Sequence, residues 1–288
     1  KAILLKPDYA EAYYNLGNVL QDQGKLDDAV EAYKQSISLK PDYAHAYNNM
    51  GNILKDQCKF GEALEAYKKA ITLIPNYVEA YNNMGVTLRN QGALDEAIDA
   101  FKKSISLKPD YAEAYNNMGL AFFELGKYEE AIEACKQALS IKPDYAEAYS
   151  NMGVVLKDKG MVEEAMEAYN KSISINPDYD QAYNNIGNAL RQKGNLDEAV
   201  AAYNKSISLN PDNADSHQKL GLALLQIGMI REGLDEYEWR WKTADFLPHQ
   251  RPFSQPIWDG KTSLKDKRIL VWCEQGIGDT MNWSSCLS

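Results

Sequence analysis

The chain has 288 residues, 45% hydrophobic and 25% charged, with a formal net charge of −10. That composition fits a folded chain with a buried core, while the acidity argues against a surface built to hold nucleic acid or an anionic membrane. No apolar run approaches the roughly 18 to 20 residues that cross a bilayer.

Residues 1–9, which open "KAILLKPDY", carry the end of a helical pattern and read as the tail of a truncated preceding repeat. From there the chain is periodic. Pro7, Pro41, Pro75, Pro109, Pro143, Pro177 and Pro211 are spaced 34 residues apart, and Gly17, Gly51, Gly85, Gly119, Gly153, Gly187 and Gly221 keep the same interval. Each period holds two helical patterns separated by a second glycine, so each unit reads as a helical hairpin. Gly17 and Ala29 are small where the two helices should cross, and Gly24 suits the left-handed residue that ends the first helix. Proline stops the second helix, and the pairs Asp8 with Glu11, Asp110 with Glu113 and Asp144 with Glu147 resemble capping boxes that start the next.

Two positions break the pattern. Cys58 replaces the helix-ending glycine, at an expected cost of about 1 kcal/mol if the backbone there is left-handed. Cys135 stands in a file with Tyr33, Tyr67, Phe101, Tyr169 and Tyr203 and is expected to be a small core residue. With Cys273 and Cys286 these cysteines form no CxxC pair and have no nearby histidine, so neither zinc nor a disulfide framework is signalled and a reduced, cytoplasmic setting is expected. His45, His217 and His249 lack the partners of a general base and are expected to be structural or exposed.

The period, with alanine, tyrosine, leucine or methionine, glycine and proline at matching places, resembles the tetratricopeptide repeat (TPR) family. The resemblance covers six full units over residues 10–213 and a degenerate seventh, with a closing helix, over 214–245. It implies an all-α fold: a right-handed superhelix of antiparallel helix pairs whose first helices line a concave groove.

Helical periodicity puts Ala114, Tyr115, Met118, Gly119, Ala121 and Phe122 on the buried side of one first helix and Glu113, Asn116, Asn117, Leu120, Phe123 and Glu124 on an exposed arc. On that arc Asn15, Asn49, Asn83, Asn117, Asn151 and Asn185 recur once per unit, and Asn48, Asn82, Asn116 and Asn184 form a partial file beside them. An asparagine amide carries both a donor and an acceptor, so it can pair with a peptide N–H and C=O without reading a side chain. Hairpins stacked at roughly 10 Å would match every third residue of an extended peptide advancing about 3.3 Å per residue. The alternative is that the amides bond neighbouring turns and simply propagate with the duplicated sequence.

After the repeats the composition changes, and all five tryptophans follow Glu238. In "REGLDEYEWRWK" Arg240 replaces a small packing residue, and Trp239 with Trp241 is expected to cover the open end of the array. A linker over 246–267 leads to "RILVWCEQGIGDT", which reads as the strand, turn and helix start of a truncated α/β domain over 268–288. Gly276 and Gly278, with Asp279 or Thr280 as a cap, form a candidate anion-binding turn, with an ordinary tight turn as the alternative.

Together with the repeats, "YEWRW", "FSQPIWDG" and "RILVWCEQGIGDT" resemble bacterial TPR proteins that end in a glycosyltransferase with two Rossmann-type domains. The asparagine file resembles that of the O-linked N-acetylglucosamine transferases. The resemblance implies that matching asparagines hold an acceptor polypeptide and lead it toward a nucleotide-sugar site in the full-length protein. This chain alone is expected to have no cofactor, metal or catalytic residue. Extended polypeptide is the expected partner, rather than nucleic acid or membrane. A non-enzymatic scaffold that assembles complexes or self-associates through its repeat ends is the alternative.

Overall fold

The computed structural model describes residues 8–243 as fourteen α-helices and one closing 3-10 turn, with no strand among the described residues. The expected all-helical class is therefore the one observed. The chain falls into two compact units that divide between Asn195 and Leu196.

The first unit holds five hairpins and one further helix. The hairpins pair α1 (Ala10–Asp22) with α2 (Leu26–Leu39), α3 (Ala44–Asp56) with α4 (Phe60–Leu73), and α5 (Val78–Asn90) with α6 (Leu94–Leu107). They continue with α7 (Ala112–Glu124) and α8 (Tyr128–Ile141), then α9 (Ala146–Asp158) and α10 (Val162–Ile175); α11 (Asp180–Gln192) follows. Within this unit each first helix also touches the first helix of the next hairpin.

Every first helix ends in the same turn. Gly24 takes φ +72°, the N–H of Lys25 donates to the Leu20 carbonyl at 2.9 Å, and that of Gly24 donates to the Gln21 carbonyl at 2.9 Å. These two bonds satisfy carbonyls that the helix leaves open, and they need a left-handed residue between them. Cys58 adopts φ +58° with the equivalent bonds, Lys59 to Leu54 at 2.8 Å and Cys58 to Lys55 at 2.9 Å. The turn is thus kept at a non-glycine residue, as the sequence implies.

The expected capping boxes do not form. The N-caps are Tyr9, Tyr111 and Tyr145, and none makes a side-chain cap bond. Asp8, Asp110 and Asp144 lie one residue too early, so the glutamates three residues on occupy N2 rather than N3. Glu11, Glu113 and Glu147 still sit in the first turn, where a negative charge meets the positive end of the helix.

The hairpin core is a ring laid on a glycine. Tyr33, Tyr67, Phe101 and Tyr169 are fully buried. A Cβ added at Gly17 would lie 2.6 Å from the Tyr33 ring, at Gly51 2.7 Å from Tyr67, and at Gly85 2.6 Å from Phe101. Cys135, also fully buried, fills this position in the fourth hairpin, confirming it as a small core residue. Beside the rings, the Ser36 hydroxyl donates to the Ala10 carbonyl at 2.9 Å, Ser104 to Val78 at 3.0 Å and Ser172 to Ala146 at 2.7 Å. In these three hairpins the bonds tie the end of the second helix to the start of its own first helix.

The second unit contains α12 (Leu196–Leu209), α13 (Ala214–Gln226), the eight-residue α14 (Ile230–Tyr237) and the 3-10 turn Glu238–Lys242. The closing element is therefore shorter than the full helix read from the sequence. Here Asn213 is a true cap, its side chain accepting from the Ser216 N–H at 3.1 Å. A Cβ at Gly221 would meet the backbone of Tyr237 at 2.6 Å, so α13 and α14 cross backbone on backbone. Trp239 stacks on His217 with centroids 3.9 Å apart and 6° between planes, and Lys242 lies over the other partner of that stack, 3.6 Å from the Trp239 centroid. His217 also bonds the Glu236 carboxylate and the Pro211 carbonyl, which makes it a structural residue. Arg240 is buried, with its guanidinium donating to the Tyr237 carbonyl at 3.2 Å and to Glu238 at 3.0 Å.

Candidate functional site

All ten asparagines of the two files lie in the first unit, on α1, α3, α5, α7, α9 and α11. Their environments differ. Asn15 is exposed and Asn49, Asn83, Asn117 and Asn151 are half-buried, whereas Asn185 is nearly enclosed. Asn48, Asn82 and Asn184 are buried and Asn116 has no exposed surface at all.

The exposed arc drawn from periodicity is thus corrected at Asn116. A helix in an array has two neighbours, its own hairpin partner and the first helix of the next unit. A single apolar stripe marks only the first of these, and Asn116 faces the second.

The two files are joined. Asn83 Nδ2 donates to Asn48 Oδ1 at 3.2 Å, Asn117 to Asn82 at 3.1 Å, and Asn151 to Asn116 at 3.0 Å. Each bond spans 35 residues and connects one first helix to the preceding one. In α9 the partial file holds Ser150, and Asn185 Nδ2 donates to its hydroxyl at 3.1 Å. At the start of the ladder, Asn49 Nδ2 donates to Asn18 Oδ1 at 3.1 Å and to the Tyr14 hydroxyl at 3.2 Å, while Asn48 Nδ2 donates to Asn49 Oδ1 at 3.3 Å. A buried amide left without partners would cost about 1–3 kcal/mol, so these bonds explain why Asn48, Asn82 and Asn116 are tolerated inside.

An amide has two N–H donors and an oxygen acceptor, and the ladder uses one N–H of Asn83, Asn117 and Asn151. The remaining groups on these half-buried residues stay chemically complementary to a peptide unit. Around them the surface is mixed. Val86, Leu120 and Val154 follow the ladder by one turn and are half-buried. Arg89 faces Glu124 at 3.6 Å, and Lys55 and Lys157 meet Asp56 and Asp158 at 3.2 and 2.9 Å. The cations are therefore largely balanced by carboxylates of the same face.

Other periodic bonds were not legible as such. The Tyr33 hydroxyl donates to Asn18 Oδ1 at 2.6 Å and that of Tyr67 to Asn52 Oδ1 at 2.8 Å, spanning 15 residues in both cases. The recurrence of tyrosine and asparagine at that separation is the signal that could have revealed them. His45 bonds the Tyr77 hydroxyl at 2.8 Å and packs edge-on to its ring, consistent with a structural role. Gly276, Gly278, Asp279 and Thr280, and with them the expected linker and α/β segment, lie outside the described residues.

Among the described residues no helix is long and apolar enough to cross a membrane, and no cluster of three or more metal-ligating side chains occurs.

A TPR family model, described as the cilia and flagella-associated protein 70 C-terminal domain, matches residues 2–220. The chain belongs to this TPR family. Solved TPR-type structures resemble it. A tetratricopeptide repeat protein from Parabacteroides merdae has a TM-score of 0.68 at 19% identity, covering 82% of this chain and 93% of that one. PilF from Pseudomonas aeruginosa has a TM-score of 0.60 at 18% identity over 73% of this chain and 95% of its own. MamA is 30% identical with a TM-score of 0.50, covering 55% of this chain and 93% of MamA. No curated protein sequence matches. The family carries a fold generally used for protein–protein interaction.

Proposed function

We propose that the first unit binds extended polypeptide along the file Asn15, Asn49, Asn83, Asn117, Asn151 and Asn185, reading backbone amides rather than a side-chain sequence. The observation that carries this reading is the regular, partly exposed amide ladder, in which Asn83, Asn117 and Asn151 keep an oxygen and an N–H beyond the bond to the neighbouring helix. The buried Asn48, Asn82 and Asn116 belong to the site as its support and not as its contact surface, and Asn184, buried as well, is no contact residue either.

Replacing Asn83, Asn117 and Asn151 together by alanine tests it. Titration with a fluorescein-labelled alanine–serine peptide should show binding weakened about tenfold or more, with helical circular dichroism retained. Unchanged affinity would reject the mechanism.

At a finer level, the unit would present acceptor polypeptide to a nucleotide-sugar-dependent transferase domain, a reading supported by the resemblance of "RILVWCEQGIGDT" and the asparagine file. A natural coding sequence without a further α/β domain beyond Ser288 would defeat it.

A further inference from the structure

We infer that Asn48, Asn82 and Asn116, with Ser150 in the fourth place, are positioning residues that fix the orientation of the amides displayed to the ligand. This rests on the peptide-binding reading above and adds the device that makes the ladder rigid.

An asparagine χ2 is broad and roughly two-fold, so a half-exposed amide on a helix surface ordinarily samples both faces. Three of the ladder amides do not have that freedom. Asn83, Asn117 and Asn151 each donate one N–H, at 3.0–3.2 Å, to an amide oxygen one hairpin back. The acceptors are buried, Asn48 at 5%, Asn82 at 6% and Asn116 at 0% exposure, so water does not compete for the bond. Asn116 is itself held, its Nδ2 facing Glu147 Oε1 at 3.3 Å and the Tyr145 hydroxyl at 3.5 Å.

The bonds donated by Asn83, Asn117, Asn151 and Asn185 all run in one sense along the array, from each unit to the preceding one. The amide dipoles of Asn83, Asn117 and Asn151 are therefore set alike, and their remaining oxygen and N–H recur at these three successive steps. A chain of identical peptide units then meets identical partners without first freezing them, which is how preorganisation raises affinity. Ser150 shows which property matters: a hydroxyl of different size replaces the amide, yet Asn185 still donates to it at 3.1 Å. The common feature is a buried acceptor, not an asparagine.

The experiment compares the wild-type chain with the pair Asn82→Leu and Asn116→Leu, which removes the acceptors, and the pair Asn82→Ser and Asn116→Ser, which retains them. Asn116→Ala alone removes the acceptor of Asn151 and leaves that of Asn117 in place, at smaller risk to the fold. Side-chain NH2 order parameters of Asn117 and Asn151 are measured in the free proteins, and affinity for the labelled alanine–serine peptide is measured in parallel. The expected result is rigid amides in the wild type, both amides mobile in the leucine pair with peptide binding weakened about fivefold, a mobile Asn151 beside a rigid Asn117 in Asn116→Ala, and restoration of rigidity and binding by the serine pair. Amides as mobile in the wild type as in the leucine pair would overturn the inference, as would released amides with unchanged affinity. Rigid wild-type amides with no peptide bound would instead overturn the backbone-reading function and leave the positioning role supported.

Discussion

At the scale of single residues, the structure turns a list of small amino acids into distances. Gly51 is needed because a ring occupies the place of its Cβ; Gly51→Ala should lower stability by about 1–3 kcal/mol through overpacking. A Cβ added at Gly119 would lie 3.2 Å from Cys135 Sγ and from the Ala131 carbonyl instead of against a ring. There the strain is milder and the helix gains about 1 kcal/mol from alanine, so Gly119→Ala should fall within about 1 kcal/mol of neutral. Urea denaturation of the two variants checks the contrast, which a similar loss in both would contradict. Cys58 offers the reverse case. At φ +58° glycine carries no side-chain clash, so Cys58→Gly should raise stability by about 1 kcal/mol, read in the same experiment.

At the scale of elements, the buried tyrosines couple the hairpins to pH. Burial pushes the Tyr33 and Tyr77 hydroxyls up to about 12 from an ordinary 10.0, and raises those of Tyr67, Tyr145 and Tyr169 as well. Folding thus favours the protonated phenol. Its stabilisation is fully present below pH 10 and is lost as pH rises through 12, because the unfolded chain ionises first. The denaturation midpoint should fall steadily across that window, with the last, highest-pH part of the tyrosinate absorbance appearing together with loss of helical circular dichroism. Ionisation of these phenols in a fully helical protein would contradict the account. The same scale explains what the sequence reading missed in the turns. Proline and aspartate announce the start of a helix, but the chain enters one residue later, at a tyrosine without a side-chain cap, and an aspartate–glutamate spacing of three is blind to that offset.

At the scale of the whole chain, periodicity made the hairpins, the ring-and-glycine core, the left-handed turns and the alternation of helices readable from the sequence. The ladder was only half readable. Asn117 and Asn116 are adjacent, equally polar and both repeated, and a one-face helical wheel gives them one environment. Their separation into a displayed amide and a buried acceptor requires the neighbouring first helix, whose closeness is a property of stacking and leaves no hydrophobic mark at either residue. The adjacent asparagines of "YNNMG", poor helix formers that cost a few tenths of a kcal/mol each, are thereby given different tasks within one hydrogen-bonded seam.

The central claim is that this seam displays amides to a polypeptide backbone. It is tested most directly by comparing the labelled alanine–serine peptide with its N-methylated counterpart, which has the same side chains and no peptide N–H donors, in an equilibrium titration of the wild-type chain. The account predicts binding of the first and about tenfold or greater loss for the second; equal affinity for both peptides would contradict it.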